Sequence, residues 1–437
     1  MTLAAAPTTP DRLSAPRTIA YCAASVGTGV FYAFNNFVLP PILKSFGAPD
    51  LVIGLLSSTR SLEGAVIQPT VGVVSDRVWT RLGRRRPFML VGAPLSAAIF
   101  LAAAGADTLL AMAALIFLFS IFFNIAADPY VALLADIAPL DQRGWLSGLA
   151  SATQLISSVG FLVLVAAASG SGNLPPLIYW AVAAALAIGF GVTIWGVREH
   201  RHDVPRRTAH SPGRLRLGVR WRMLARQPQA LRYLATLFVY QFGLNAIMPY
   251  LVLFVVDEIH QPEQVAFALS AGLLVVTAVA AVLFGRLADR LGPRPVLAIG
   301  WSLLAVSALG GVLVTTLPQT IVVVIVAGVG NGAATAVAWP LLTALIPHHQ
   351  TGMFAGLKAA AESIAIPISV AVAAEVFLPR LGYRGIFSML ALSIVLALVL
   401  LLRFVRVPQP DLVSERITTL ERWPRRSPAA PRPSRSG

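Results

Sequence analysis

Apolar runs of about 20 residues or more, the length that crosses the hydrocarbon core of a bilayer, recur between residues 18 and 404 with short polar stretches between them. Backbone amides in lipid find no water to bond, so runs of this length fold as helices. The pattern predicts spans over 18–43, 51–75, 86–105, 109–134, 145–168 and 175–197. A second set follows over 231–256, 263–288, 294–314, 319–346, 351–377 and 383–404. Twelve spans put both termini on one side. The expected organisation is a tail (1–17), a six-helix half (18–197), a basic linker (198–230), a second six-helix half (231–404) and a second tail (405–437).

Composition agrees with a membrane solvent. Of the 437 residues, 57% are hydrophobic and 12% charged, against about 25% charged in soluble domains. The Ala-, Thr- and Pro-rich opening lacks the charged start, apolar core and cleavage site of a secretory signal. It reads as a disordered cytoplasmic tail, and the Pro-, Arg- and Ser-rich end from Pro408 as another. The single cysteine, Cys22, leaves no intrachain disulfide and no thiolate cluster.

The net charge of +15 raises the question of a nucleic-acid partner, and the placement of the charges argues against one. Of the 34 Lys and Arg, only Lys44, Arg380 and Arg384 fall in loops away from the termini, and only Arg60 and Lys358 fall inside helices. This bias predicts a multi-pass protein of the cytoplasmic (inner) membrane with both termini cytoplasmic. Anionic lipid is the expected partner of the basic face. Within the linker, residues 214–234 alternate Arg with apolar residues. That pattern suits a helix at the headgroup surface and equally a flexible linker.

The chain repeats itself. Residues 133–152 (LLADIAPLDQRGWLSGLASA) and 341–360 (LLTALIPHHQTGMFAGLKAA) align without gaps, and the same offset carries Arg86-Pro87 onto Arg294-Pro295. Upstream, Gly72-x-x-Ser-Asp76-Arg77 answers Gly285-x-x-Ala-Asp289-Arg290, and Asn36-x-x-x-Pro40 answers Asn245-x-x-x-Pro249 more weakly. Two six-helix halves in parallel orientation are the layout of an alternating-access carrier with its site between them.

The segment GVVSDRVWTRLGRRR, which starts at Gly72, resembles the loop motif of the major facilitator superfamily. The longer string VIQPTVGVVSDRVWTRLGRRRPF from Val66 is similar to the plant sucrose transporters and their relatives, the glycoside-pentoside-hexuronide:cation symporters. ADPYVALLAD, from Ala127, resembles the matching stretch of that branch, except that Val131 stands where those proteins carry a substrate-binding arginine. This counts against sucrose itself. The fifth span lacks the Gly-Pro-rich motif of drug:proton antiporters. The resemblance implies an all-α major facilitator fold, transport coupled to protons or sodium, and coupling acids on the second and fourth spans.

Ionisable side chains inside spans cost several kcal/mol unless paired or hydrated, so each is a functional candidate. Arg60 and Glu63 share a face of the second span, Asp128 lies on the fourth, and Lys358 and Glu362 share a face of the eleventh. A carboxylate that changes exposure while leaving a cation can bind and release an ion, and the alternative is a set of neutral structural pairs. Asn35, Asn36, Asn124, Gln154, Tyr240, Gln241, Asn245, Asn331 and Trp339 could bond and stack against a hydroxyl-rich solute. Singly, each is also an ordinary packing residue. Carboxylates at helix ends can latch one conformation. This marks Gly72, Asp76, Arg77, Arg84, Arg85, Asp136 and Arg143, with Gly285, Asp289 and Arg290, as gating residues. Glu375 should be interfacial.

No constellation for an enzyme, cofactor or metal is evident, because His348-His349 lacks acidic partners. The expected protein is a monomeric carrier of a small polar solute, with a sugar or glycoside favoured. An exporter of amphipathic compounds, or a non-transporting assembly factor on the same fold, remains an alternative.

Overall fold

The computed structural model describes residues 12–58, 70–72, 74–75, 78–169, 176–199, 227–346 and 351–406. Its helices are α1 (Ala15–Ser45), α2 (Asp50–Leu56), α3 (Arg86–Ala103), α4 (Leu109–Ile137), α5 (Leu140–Ala168) and α6 (Leu177–Gly196). The second half holds α7 (Pro228–Asp257), α8 (Glu263–Leu291), α9 (Pro293–Leu313), α10 (Leu317–Ala344), α11 (Thr351–Val372) and α12 (Leu378–Phe404). α2 is the start of the second predicted span, and residues 70–72 and 74–75 belong to its other end. The apolar run Gly356–Phe404 is 49 residues long, too long for one span, and it turns at Gly382 (φ 60°). It is therefore two spans, as predicted.

α5 begins at Leu140, earlier than the apolar run suggests. Pro139 holds an extended conformation (φ −65°, ψ 158°) in front of it, and the first turn is polar, so hydropathy cannot see it. Of the stretch 214–234, residues 228–234 form the first turns of α7; the remainder of the stretch, up to residue 226, lies outside the described residues.

The internal repeat is visible in the packing. α1 lies against α5 and α6 as α7 lies against α11 and α12, and α3 against α4 and α6 as α9 lies against α10 and α12. In lipid no hydrophobic force draws helices together, so close packing and interhelical hydrogen bonds must do so. The Thr193 hydroxyl of α6 donates to the Ala20 carbonyl of α1 (2.7 Å) and accepts from the Ala24 amide (3.0 Å). Ser158 of α5 donates to the Gly29 carbonyl (2.7 Å). Among the described residues, α5 and α8 form the most extensive helix pair between the halves.

α1 is not uniform. Pro40 and Pro41 offer no amide to carbonyls one turn back and crowd them, and the helix widens into a π-turn over Phe34–Val38. The repeated Asn-x-x-x-Pro pattern ends in a second irregularity, a 3₁₀ turn over Met248–Tyr250 in α7. The end of the bundle where α1 begins and α12 finishes is the terminal end, and the opposite one the far end.

Candidate functional site

The π-turn sets the centre of the site. Asn35, within it, is only 3% exposed, yet its carboxamide makes no hydrogen bond among the described residues. It lines a cavity of about 190 Å³. One wall of the cavity is aromatic. Phe31 lies 4.7 Å from Phe119 and 4.2 Å from Phe123, ring centre to ring centre. Asn124 and Ser120 of α4 and Ser58 beyond α2 add polar atoms, while Ile366 and Pro367 of α11 close the cavity from the other half. Asn124 donates to the Ser120 carbonyl (2.9 Å). Rings beside carboxamides and hydroxyls, with no charged side chain among the described lining residues, suit a solute that carries both apolar and hydroxylated faces.

The second half contributes a polar cluster. Lys358 and Glu362 of α11 form an ion pair, and Gln241 of α7 donates to the same Glu362 oxygen at 3.3 Å. Nearby, Tyr240 stacks on Trp301 at 5.0 Å and its hydroxyl donates to Asn331 at 3.4 Å. Asn331 lines a separate apolar cavity of about 60 Å³ inside the second half. The Asn245 amide nitrogen is buried without a hydrogen-bond partner. Asn36, Gln154 and Trp339 do not line the larger cavity. Asp128 is half-buried on α4, with one carboxylate oxygen shielded from solvent. Arg60 and Glu63 lie outside the described residues.

At the terminal end the charges form a network. Asp136, 3% exposed, accepts from Arg84 Nε at 2.9 Å and from Arg85 Nε at 3.1 Å, with a further bond from Arg84 Nη2. Arg85 also reaches Ser75. Arg143 does not join them; it donates to the carbonyls of Ala135 (2.7 Å) and Ala138 (2.9 Å), which end α4. Such capping suits a cation at a helix C-terminus. Asp76 and Arg77 lie outside the described residues, and Gly72 has open space where a side chain would point. In the second copy Asp289 and Arg290 are exposed and Gly285 borders open space.

Three features escaped the sequence reading. Glu199, just beyond α6, accepts from the backbone amides of Arg84 (2.7 Å), Arg85 (3.0 Å) and Arg86 (3.1 Å), where α3 begins. The room for its carboxylate comes from Gly83 (φ 106°), where a Cβ would lie 2.8 Å from the carboxylate carbon. A lone acid in a run of arginines was the available signal. The second feature is the aromatic wall. The third lies at the far end, where Lys44 of α1 pairs with Asp257 of α7 and donates to the Tyr383 hydroxyl at 3.1 Å.

Duplicated six-helix halves around a cavity define a polytopic membrane transporter. Residues 20–410 match the family described as MFS/sugar transport protein, and the chain belongs to that family, whose members are transporters and not enzymes. It is similar to the sucrose transport protein SUC3 of Arabidopsis thaliana, 28% identical over 144 residues, which are 28% of this chain and 24% of that one. It is 40% identical to the human (Homo sapiens) proton-associated sugar transporter A over 60 residues, 14% of this chain and 8% of that one. The matched stretches thus span less than a third of these relatives. Among solved structures, a D-xylose-proton symporter superimposes with a TM-score of 0.70 at 14% identity, covering 89% of this chain and 98% of that one. The nucleoside transporter NupG gives 0.71 at 13% identity, covering 88% and 99%. At such identities these likenesses establish the fold.

Proposed function

We propose that the protein is a secondary carrier that moves a sugar or glycoside across the cytoplasmic membrane, driven by a proton or sodium gradient. The observation that carries this reading is the ring-lined cavity between the halves, where the π-turn of α1 holds the Asn35 carboxamide, which has no hydrogen-bond partner among the described residues. Sugar rings present C–H faces to aromatics and hydroxyls to carboxamides, and the cavity offers both. The named relatives are a sucrose transport protein and a proton-associated sugar transporter, which supports the same class of solute. Both termini face the cytoplasm in this reading, so the far end faces outward.

Asn35 and Asn124 bind the solute, with Ser58 and Ser120 beside them. Glu362 is the leading coupling acid among the described residues. It bonds to Lys358 on its own helix and to Gln241 on α7, so movement between α7 and α11 changes its surroundings and its affinity for a proton or sodium ion. Asp128 and Glu63 are further candidates, and Arg84, Arg85 and Asp136, with Asp76, form the gating network.

The test is uptake of a panel of labelled sugars and glycosides into proteoliposomes, with and without an imposed proton or sodium gradient. Accumulation of at least one, abolished by dissipating the gradient, is expected. No uptake of any sugar by folded protein, combined with efflux of amphipathic cations, would favour the exporter reading instead.

A further inference from the structure

The far end is closed by contacts between the two halves. Its polar part is Lys44 of α1 against Asp257 and Tyr383 of α7 and α12. Arg384 braces the neighbouring Glu258 at 3.5 Å. Beneath this clasp, nearer the cavity, the halves touch where Gly54 of α2 faces Tyr250 of α7 and Val370 of α11. The Tyr250 hydroxyl donates to the Asp50 carbonyl of α2 at 2.7 Å. A Cβ on Gly54 would lie 2.5 Å from that hydroxyl and closer still to Val370 Cγ1. Neither neighbour can easily yield. Tyr250 is 1% exposed with its ring held by the bond to Asp50, and Val370 is fully buried, with a β-branched side chain stiff at χ1.

We propose that Gly54 is the notch on which far-end closure depends: α2 can meet α7 and α11 only while this position has no side chain. The cavity lies directly below, since Leu55, Leu56 and Ser58 follow Gly54 into its lining and Ile366 and Pro367 precede Val370. Opening the far end withdraws Tyr250 and Val370, so a larger residue at 54 burdens the closed state alone. A ligand or mutation shifts a two-state equilibrium only by what it does differently to the two states. Gly54 therefore sets which way the site faces. This rests on the alternating halves and on no particular solute.

The experiment reads conformation directly. In a Cys22→Ser background, Ser120→Cys places a thiol in the cavity, and a membrane-impermeant maleimide is applied to each side of oriented vesicles. The parent should label slowly from the far-end side and readily from the terminal side. Gly54→Ala and Gly54→Val should raise far-end labelling by about tenfold or more, because overpacking of this size moves a two-state equilibrium by at least that factor. Adding Val370→Ala and Tyr250→Phe to Gly54→Ala removes both clashing atoms and should restore the parent pattern. Val370→Ala with Tyr250→Phe on the native Gly54 loosens the same contact and should also raise far-end labelling, which guards against Gly54→Val failing to fold. Labelling of folded Gly54→Ala equal to the parent on both sides, or failure of the combined variant to reverse it, overturns the proposal. Reversal of labelling, combined with no uptake of any sugar by the native protein without the Ser120→Cys change, would leave the gate standing and refute only the solute class.

Discussion

Replacing Asp136 by Asn tests whether the terminal-end network is held by compensated charge or only by shape. The Asp136 side chain is 4% exposed and takes hydrogen bonds from two guanidinium groups, Arg84 and Arg85, whose side chains are 17% and 7% exposed. Asn keeps the volume and one acceptor oxygen but loses the charge, leaving two nearly buried cations facing a neutral group. Removing one partner of a buried ion pair costs about 3–5 kcal/mol. The retained acceptor and the other contacts of the two arginines argue for the lower end, about 3 kcal/mol, which is roughly a hundredfold in the unfolding equilibrium. Reversible unfolding in mixed micelles, followed by tryptophan fluorescence, measures it. Arg143→Gln, in the first turn of α5, is the control: it loses only a cation on the last carbonyls of α4, worth about 1 kcal/mol. The Asp136→Asn and Arg85→Gln changes should be strongly non-additive. A loss below about 1 kcal/mol for Asp136→Asn, no larger than the control, would refute the charge argument.

Asn35→Ala removes the unbonded carboxamide and should weaken solute binding about tenfold, the value of one good hydrogen bond; equilibrium dialysis with unchanged affinity would take Asn35 out of the site. Glu362→Gln should abolish gradient-driven accumulation while sparing exchange of solute across vesicles. If it still concentrates solute with native ion dependence, Asp128 and Glu63 become the leading acids. Glu199→Gln removes the charge from the amides that open α3 and should cost about 1–2 kcal/mol, read by the same unfolding assay; an unchanged midpoint would make Glu199 a bystander.

The spans were legible because lipid leaves a chain one local solution, and the paired halves because Gly72, Asp76 and Arg86 recur as Gly285, Asp289 and Arg294. Arg84, Arg85 and Asp136 stood among the gating candidates, since charges near helix ends need partners, but their spacing did not say that they would meet one another. Arg143 was grouped with them by sequence nearness, but its fork reaches the carbonyls that end α4, and sequence spacing carries no such direction. Lys44 and Asp257 could not have been matched, because their meeting depends on how the halves dock. Phe31, Phe119 and Phe123 look in the sequence like any lipid-facing phenylalanine. Gly54 looks like any glycine in an apolar run, since a tight fit is a property of its neighbours.

A π-turn is an α-helix carrying one surplus residue, so the widened stretch of α1 has a consequence for how this chain tolerates insertions and deletions. Each α-helical residue advances the azimuth by about 100°. Deleting one residue within Phe34–Val38 would shorten α1 by a single step and let regular pitch run up to the prolines. Because the widened turn already absorbs that step, Lys44 and everything beyond would keep their facing, whereas a deletion in a regular part of α1 has no surplus to give up and would turn them by about a quarter of a circle. A deletion within the π-turn should therefore leave the far-end clasp aligned and change only the stretch that holds Asn35, and a deletion elsewhere in α1 should misalign the clasp.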